Sequence, residues 1–161
     1  MIYTTVYSSP MGNIILGSDG NALVGLWFEG QKYFLSKYKK YEINDELEIF
    51  AKTKIWLDEY FKGNNPEITM ELNPSGTAFQ QRVWKELEKI PYGKTVTYGD
   101  IAAILGIKSA QGVGGAVGRN PISIIIPCHR VVGKYSTLTG YAGGTDKKLT
   151  LLKLENPGFK I

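Results

Sequence analysis

The sequence predicts an α+β fold in two parts: a small antiparallel sheet with one helix, then a helical part with a helix-turn-helix. Three observations predict it. The first third alternates β-branched and aromatic residues between turn signals. The second half spaces its apolar residues three and four apart. Between them, residues 63–76 contain Gly63-Asn64-Asn65-Pro66 and Asn73-Pro74-Ser75-Gly76, a linker composition. Residues 1–73 are therefore read as a structural N-terminal domain and 74–161 as the functional domain. The length of 161 residues suits one ordinary domain or two small ones.

In order, residues 2–7 form the first strand, and Ser8-Ser9-Pro10-Met11-Gly12 is a turn. Residues 13–18 are the second strand, Asp19-Gly20 a two-residue hairpin signal, and residues 22–28 the third strand, completing an antiparallel meander. A helix over 45–61 fits the spacing of Leu47, Phe50, Ile55, Trp56, Leu57 and Tyr60. Another over 77–89 puts Phe79, Val83, Trp84 and Leu87 on one face, with Pro91-Tyr92-Gly93 after it. Thr97 caps a short helix over 98–105 that Gly106 stops. Ser109 caps a second over 110–117, and the pair reads as a helix-turn-helix. A last helix covers 146–154.

Composition narrows the class. An apolar fraction of 43% with ten Tyr and six Phe can build a core. The start has no signal-peptide pattern, and no apolar run approaches the ~18 residues of a membrane span. A cytoplasmic protein with no membrane association is expected. Charge is divided unevenly. Residues 1–73 hold seven Lys against ten Asp or Glu, while 74–161 hold twelve Lys or Arg against five Asp or Glu. A basic second half suits a polyanionic partner, or a basic face that serves solubility alone.

The one cysteine and the one histidine are neighbours, in Pro127-Cys128-His129-Arg130-Val131. They cannot form an intrachain disulfide or a Cys/His zinc site, so no metal is expected. Cys128 is either a buried small hydrophobe or a nucleophile. Upstream, Ala110-Gln111-Gly112-Val113-Gly114-Gly115-Ala116 places three glycines in a helix, each costing roughly 1 kcal/mol relative to Ala. Either another surface, such as DNA, approaches this backbone closely, or a neighbouring helix packs against it.

These segments resemble one family. The run Pro127 to Val131, preceded by Val113-Gly114-Gly115-Ala116 and Asn120-Pro121, is similar to the O6-alkylguanine-DNA alkyltransferases. Tyr92-Gly93, Thr97-Tyr98 and Gly140-Tyr141-Ala142-Gly143-Gly144 fit the same pattern, so the match covers nearly all of residues 75–156. The resemblance implies a single-turnover repair protein acting as a monomer on double-stranded DNA. It would flip O6-alkylguanine, or O4-alkylthymine, from the duplex and move the alkyl group to its own cysteine without a cofactor.

By resemblance Cys128 is the acceptor. His129 takes the thiol proton, with a bridging water because adjacent side chains point apart. Glu155 orients His129, and Asn120 supports the turn that holds the cysteine. The hydroxyl of Tyr98 meets the base, Tyr141 walls the pocket, and the backbones of Cys128, Val131 and Ala142 contact the base edge. Gly143 and Gly144 keep that loop close. Ser109, Ala110, Gln111, Gly112, Gly114, Gly115 and Arg119 form the DNA surface. Arg130 either ties this segment to the domain or is a surface cation.

The chain departs from the family pattern in places. Gln111 stands where the family usually has an arginine that fills the gap left by the flipped base, so weaker or slower flipping is expected. Gly112 replaces a usual alanine. The loop Gly133-Lys134-Tyr135-Ser136-Thr137-Leu138 lacks a glycine expected near its tip. Ser123 stands where some relatives have proline, which would widen the pocket. The main rival reading is a sensor that binds alkylated DNA and recruits other factors without chemistry. Such proteins lack the reactive cysteine, and this chain has Cys128. A Cys-His hydrolase would have no use for the glycine-rich helix, and a transcription regulator would need a dimerisation element that is not visible.

Overall fold

The fold comes from a computed structural model of the chain. It describes residues 1–31, 38, 40–138, 141 and 143–160. Two compact units divide it, Met1–Ser75 and Gly76–Ile161.

The first unit is a four-stranded sheet with one helix. Strands β1 (Ile2–Ser9), β2 (Gly12–Ser18) and β3 (Leu23–Phe28) form the expected meander, with Tyr7 opposite Ile14 and Leu16 opposite Leu26. The Ser9 hydroxyl donates to Gly12 O at 2.6 Å and accepts from Met11 N at 3.0 Å, closing the first turn. Gly12 has φ +100°, a conformation open to glycine. The second connection is longer than a two-residue Asp-Gly turn. It spans residues 19–22, because Asp19 Oδ1 accepts from both Asn21 N and Ala22 N at 2.9 Å and wraps the chain around itself.

The sheet is mixed rather than antiparallel throughout. A fourth strand, β4 (Tyr41–Ile43), lies beside β1 and runs parallel to it, in the order β3-β2-β1-β4. All three of its residues are exposed, so it carries no alternating pattern.

Helix α1 (Glu48–Phe61) buries Ile49, Phe50, Thr53, Trp56, Leu57 and Tyr60, one stripe at helical spacing. It starts at Glu48 rather than Asp45, because Asp45 is engaged as the acceptor of the Thr5 hydroxyl at 2.6 Å. Ile55, expected on the inner stripe, points to solvent and is 66% exposed. Tyr7 Oη donates to Asp58 Oδ1 at 2.6 Å, which ties α1 to β1. Trp27 lies over Gly17 and Gly25. A Cβ at Gly25 would meet its ring at 1.9 Å, so only glycine fits there.

The second unit is mostly helical. Thr77 opens α2 (Ala78–Leu87) with a capping box, accepting from Gln80 N while Gln80 Oε1 accepts from Thr77 N. The expected helix-turn-helix is α3 (Tyr98–Leu105), ended by Gly106 at φ +70°, and α4 (Ala110–Gly118), capped by Ser109. The two are bent by 107°, within the usual range for the motif. Trp84 Nε1 donates to Ala116 O at 2.8 Å and pins α4 to α2. Two short strands, β5 (Val96–Thr97) and β6 (Val131–Val132), pair in parallel. They bring the turn after Cys128 against the start of α3. Helix α5 (Thr145–Glu155) closes the unit. Among the described residues no single helix is long and apolar enough to cross a membrane.

Candidate active site

Cys128 opens a single 3-10 turn, Cys128–Arg130, at the end of a buried run that includes Ile122 and Ile124–Ile126. Asn120 holds this run in place. Its Nδ2 donates to Ile126 O at 2.8 Å and to Ile122 O at 3.3 Å, while its Oδ1 accepts from Ile122 N at 3.0 Å. One buried amide therefore satisfies three backbone groups of a segment with no regular structure. Ile124 sits at φ +71°, a strained value for a β-branched residue. Burial pushes the Cys128 thiol up to about 11, against the opposing pull of the Asn120 amide and the Lys148 ammonium. The thiol is protonated at neutral pH and needs a base.

His129 is fully buried beside it, and its Nε2 lies 2.6 Å from Glu155 Oε2. Glu155 accepts more than that one bond. Arg130 Nε donates to Oε1 at 2.8 Å, Arg130 Nη2 to Oε2 at 3.1 Å, and Gly93 N to Oε1 at 3.1 Å. His129 and Arg130 hold the carboxyl well below its ordinary range, although burial alone would raise it. An ionised Glu155 places the histidine proton on Nε2 and leaves Nδ1 as an acceptor. Nδ1 is buried and has no hydrogen-bond partner among the described residues. Burial also lowers the His129 pKa below the usual value, more than Glu155 raises it, so the ring is neutral at pH 7. Arg130 is not a surface cation. Its Nη1 donates to Ile90 O at 2.8 Å, and its guanidinium lies 5.7 Å from the Tyr92 ring centroid.

A second polar group acts on the thiol. Lys148, on α5, is fully buried and donates from Nζ to Tyr98 Oη at 3.3 Å. Burial lowers its pKa to about 8, while the Cys128 charge pulls the other way. Sequence reasoning passed over Lys148 as one member of a lysine-rich helix. The available signal was its spacing: Lys148, Leu151, Leu152 and Glu155 share one face, and all four are buried. Tyr141 is buried as well. Burial and the charge of Cys128 raise its hydroxyl well above the ordinary value, with Ser123 acting against them. Val131 is buried beside the turn, and Gly143 precedes α5. Ala142 and Gly140 lie outside the described residues.

The face expected to meet DNA is open. Ser109, Ala110, Gln111, Gly112, Gly115 and Arg119 are exposed, and Gly114 is half-buried. A Cβ at Gly115 would meet nothing within 4 Å, and one at Gly112 only the Ser109 side chain at 3.7 Å. One at Gly114 would reach the Tyr98 ring at an ordinary 3.8 Å. Packing inside the protein therefore demands glycine at none of the three, and the alternative of a neighbouring helix is set aside.

Comparisons with known proteins agree along the whole chain. The model of the 6-O-methylguanine DNA methyltransferase DNA-binding domain matches residues 78–157, and that of the ribonuclease-like domain matches residues 2–74. A methylated-DNA–protein-cysteine methyltransferase of Haemophilus influenzae is 45% identical over 156 residues, covering 96% of this chain and 86% of the relative. The constitutive enzyme of that name in Bacillus subtilis is 39% identical over 164 residues, covering 99% of each. Among solved structures, Mycobacterium tuberculosis OGT in complex with DNA superposes with a TM-score of 0.88 at 40% identity, covering 96% of this chain and 93% of that one.

Proposed function

We propose a mechanism from the premise that this chain belongs to the 6-O-methylguanine DNA methyltransferase family. It repairs DNA directly by taking the alkyl group of O6-alkylguanine onto Cys128. The new bond joins Cys128 Sγ to the alkyl carbon, and the bond between that carbon and guanine O6 breaks. Sulfur keeps the alkyl group as a thioether, so each molecule acts once. The observation that carries this reading is the buried Cys128 beside a neutral His129 that a clamped Glu155 orients.

The thiol proton leaves through a water to His129 Nδ1, and Glu155 stabilises the imidazolium that forms. The departing guanine gathers negative charge, and the Tyr98 hydroxyl supplies a proton or a hydrogen bond to it. Lys148 donates to that hydroxyl and makes it a better donor. Tyr141, Val131 and Gly143 form the pocket that takes the base, and Asn120 holds the cysteine turn under it. A target inside a duplex must be extruded to reach a buried sulfur. The exposed glycines of α4 let the duplex approach, Gln111 enters the space the base leaves, and Arg119 meets a phosphate. The chain works as a cytoplasmic monomer on double-stranded DNA, with O4-alkylthymine as a second substrate.

The test is intact mass after mixing the protein with a duplex carrying one O6-methylguanine, beside Cys128→Ala. One methyl group gained by the wild type alone, and never more than one per molecule, is expected. Tight binding without a mass change would instead make the protein a sensor of alkylated DNA.

A further inference from the structure

The mechanism above leaves one strained and exposed feature unused. Residues 134–136 form a 3-10 turn at the tip of the loop after β6. Gly133 N donates to Thr137 O at 2.8 Å and Thr137 N to Lys134 O at 3.4 Å, so the loop is closed on itself. At its tip Tyr135 has φ +58° and Ser136 has φ +60°. Two successive non-glycine residues in this left-handed region are unusual, because each Cβ crowds the next carbonyl. Tyr135 is 89% exposed, and its side chain makes no hydrogen bond, ion pair or ring contact among the described residues. Backbone strain that holds out an unpartnered aromatic points to a partner outside the molecule.

The position of the loop says which partner. It starts at β6, directly after the Cys128 turn, and it leads to Tyr141, which is buried near Cys128. Tyr135 lies seven positions after Cys128, a reach of at most about 25 Å even if fully extended. Nucleotides along one strand lie about 3.4 Å apart. DNA that delivers a base to Cys128 therefore carries several neighbouring nucleotides within the span that this loop can cover. The neighbouring Lys134 is exposed, and this half of the chain carries twelve basic against five acidic residues. An exposed aromatic ring beside a cation is the combination that stacks on bases and follows a phosphate backbone. Gln111 offers neither a charge nor a planar cation for stacking.

We propose that Tyr135 is a stacking platform for a base of the strand that enters the site, within a few nucleotides of the alkylated guanine. This inference rests on the repair reading above.

The test compares wild type, Tyr135→Gly and Tyr135→Phe, each in a Cys128→Ser background so that transfer does not deplete the complex. Affinity for an O6-methylguanine duplex is read across a salt series, together with thermal stability. Tyr135→Gly relieves the backbone, so its Tm should rise by a few degrees while its affinity falls about tenfold. Tyr135→Phe should keep the wild-type affinity, and the salt slope should match in all three, because stacking neutralises no phosphate. Equal affinity for all three proteins would overturn the proposal. So would an equal loss in Tyr135→Phe, which would assign the contact to the hydroxyl. A concentration-dependent dimer lost only in Tyr135→Gly, with DNA affinity unchanged, would give the ring to a second copy. Methyl transfer by the protein with native Cys128 is scored separately by mass, so failure of the repair reading is distinguishable from failure of this one.

Discussion

Glu155 accepts four hydrogen bonds from His129, Arg130 and Gly93, and this makes Arg130 a positioning residue. Replacing it by Gln strands part of a buried carboxylate and should cost about 3 kcal/mol of stability. Arg130 also holds the His129 pKa down. Its loss should move the acid limb of the single-turnover transfer rate to higher pH, and an unmoved limb would reduce Arg130 to a structural tie. Lys148 predicts the reverse balance of stability and activity. Its pKa is about 8 in the fold, below the ordinary 10.5, so the fold resists its charge. Lys148→Met should therefore stabilise the chain by about 2 kcal/mol at pH 7. The gain should fade as pH rises through 8 to 10.5, where wild-type lysine is neutral in both states. Transfer should slow as Tyr98 loses its donor. A urea melt at pH 7 and one at pH 10.5 check the sign. Cys128 and His129 were legible from their adjacency, whereas Glu155 stands 26 positions from His129 and entered only through the family pattern. Lys148 was not legible because lysines usually stay solvated, and its burial depends on what α5 packs against.

The helices carry the clearest opposition between folding and function. On α4, Gly115 faces open space, and a Cβ at Gly112 would make only ordinary contact with the Ser109 side chain. Alanine at either should stabilise the helix by about 0.5–1 kcal/mol. It should also hold DNA away, so affinity falls while Tm rises. Loss of both together would mean a packing role that the open space denies. Gln111→Arg should strengthen binding to the lesion duplex and speed transfer, and unchanged values would show that Gln111 does not enter the helix. These elements were readable because caps and glycine stops are local signals: Thr97 and Ser109 cap as the sequence suggests, whereas Thr77, expected as the first helical residue, caps α2 instead. Strands β4, β5 and β6 were not readable. At two or three residues each they are too short for a period, and parallel pairing is set by distant partners. Asp19 misled for a related reason, since its side chain captures two backbone amides and lengthens the turn.

Across the whole molecule, the proton balance predicts how stability depends on pH. His129 has a depressed pKa in the fold, so the unfolded chain binds its proton more readily. The stability this contributes is complete above about pH 6.5, the ordinary histidine value, and is lost as pH falls through the folded value. Glu155 and Asp19 are depressed too, and their contributions start to be lost only near pH 4.5. On the alkaline side, Cys128 and the tyrosines Tyr7, Tyr38, Tyr92 and Tyr141 are raised by burial. Their stability is complete below about pH 9 and is lost as pH climbs through the folded values. Lys148 opposes them partly between 8 and 10.5. The chain should therefore show a plateau from about pH 6.5 to 8 and a rise to about pH 9 as the folded Lys148 loses its proton, with stability falling below and above that range. The sequence contains one histidine, so the proton taken up on unfolding just below about pH 6.5 belongs to His129. Stability there should fall as pH falls, by at most about 1.4 kcal/mol per pH unit, and His129→Gln should extend the plateau to lower pH. Denaturant melts between pH 4 and 10 measure this directly. A wild-type curve that stays flat below pH 6.5, and is the same in His129→Gln, would mean that His129 protonates as easily in the fold as in water. The neutral ring on which the proton route from Cys128 depends would then be lost under mildly acidic conditions.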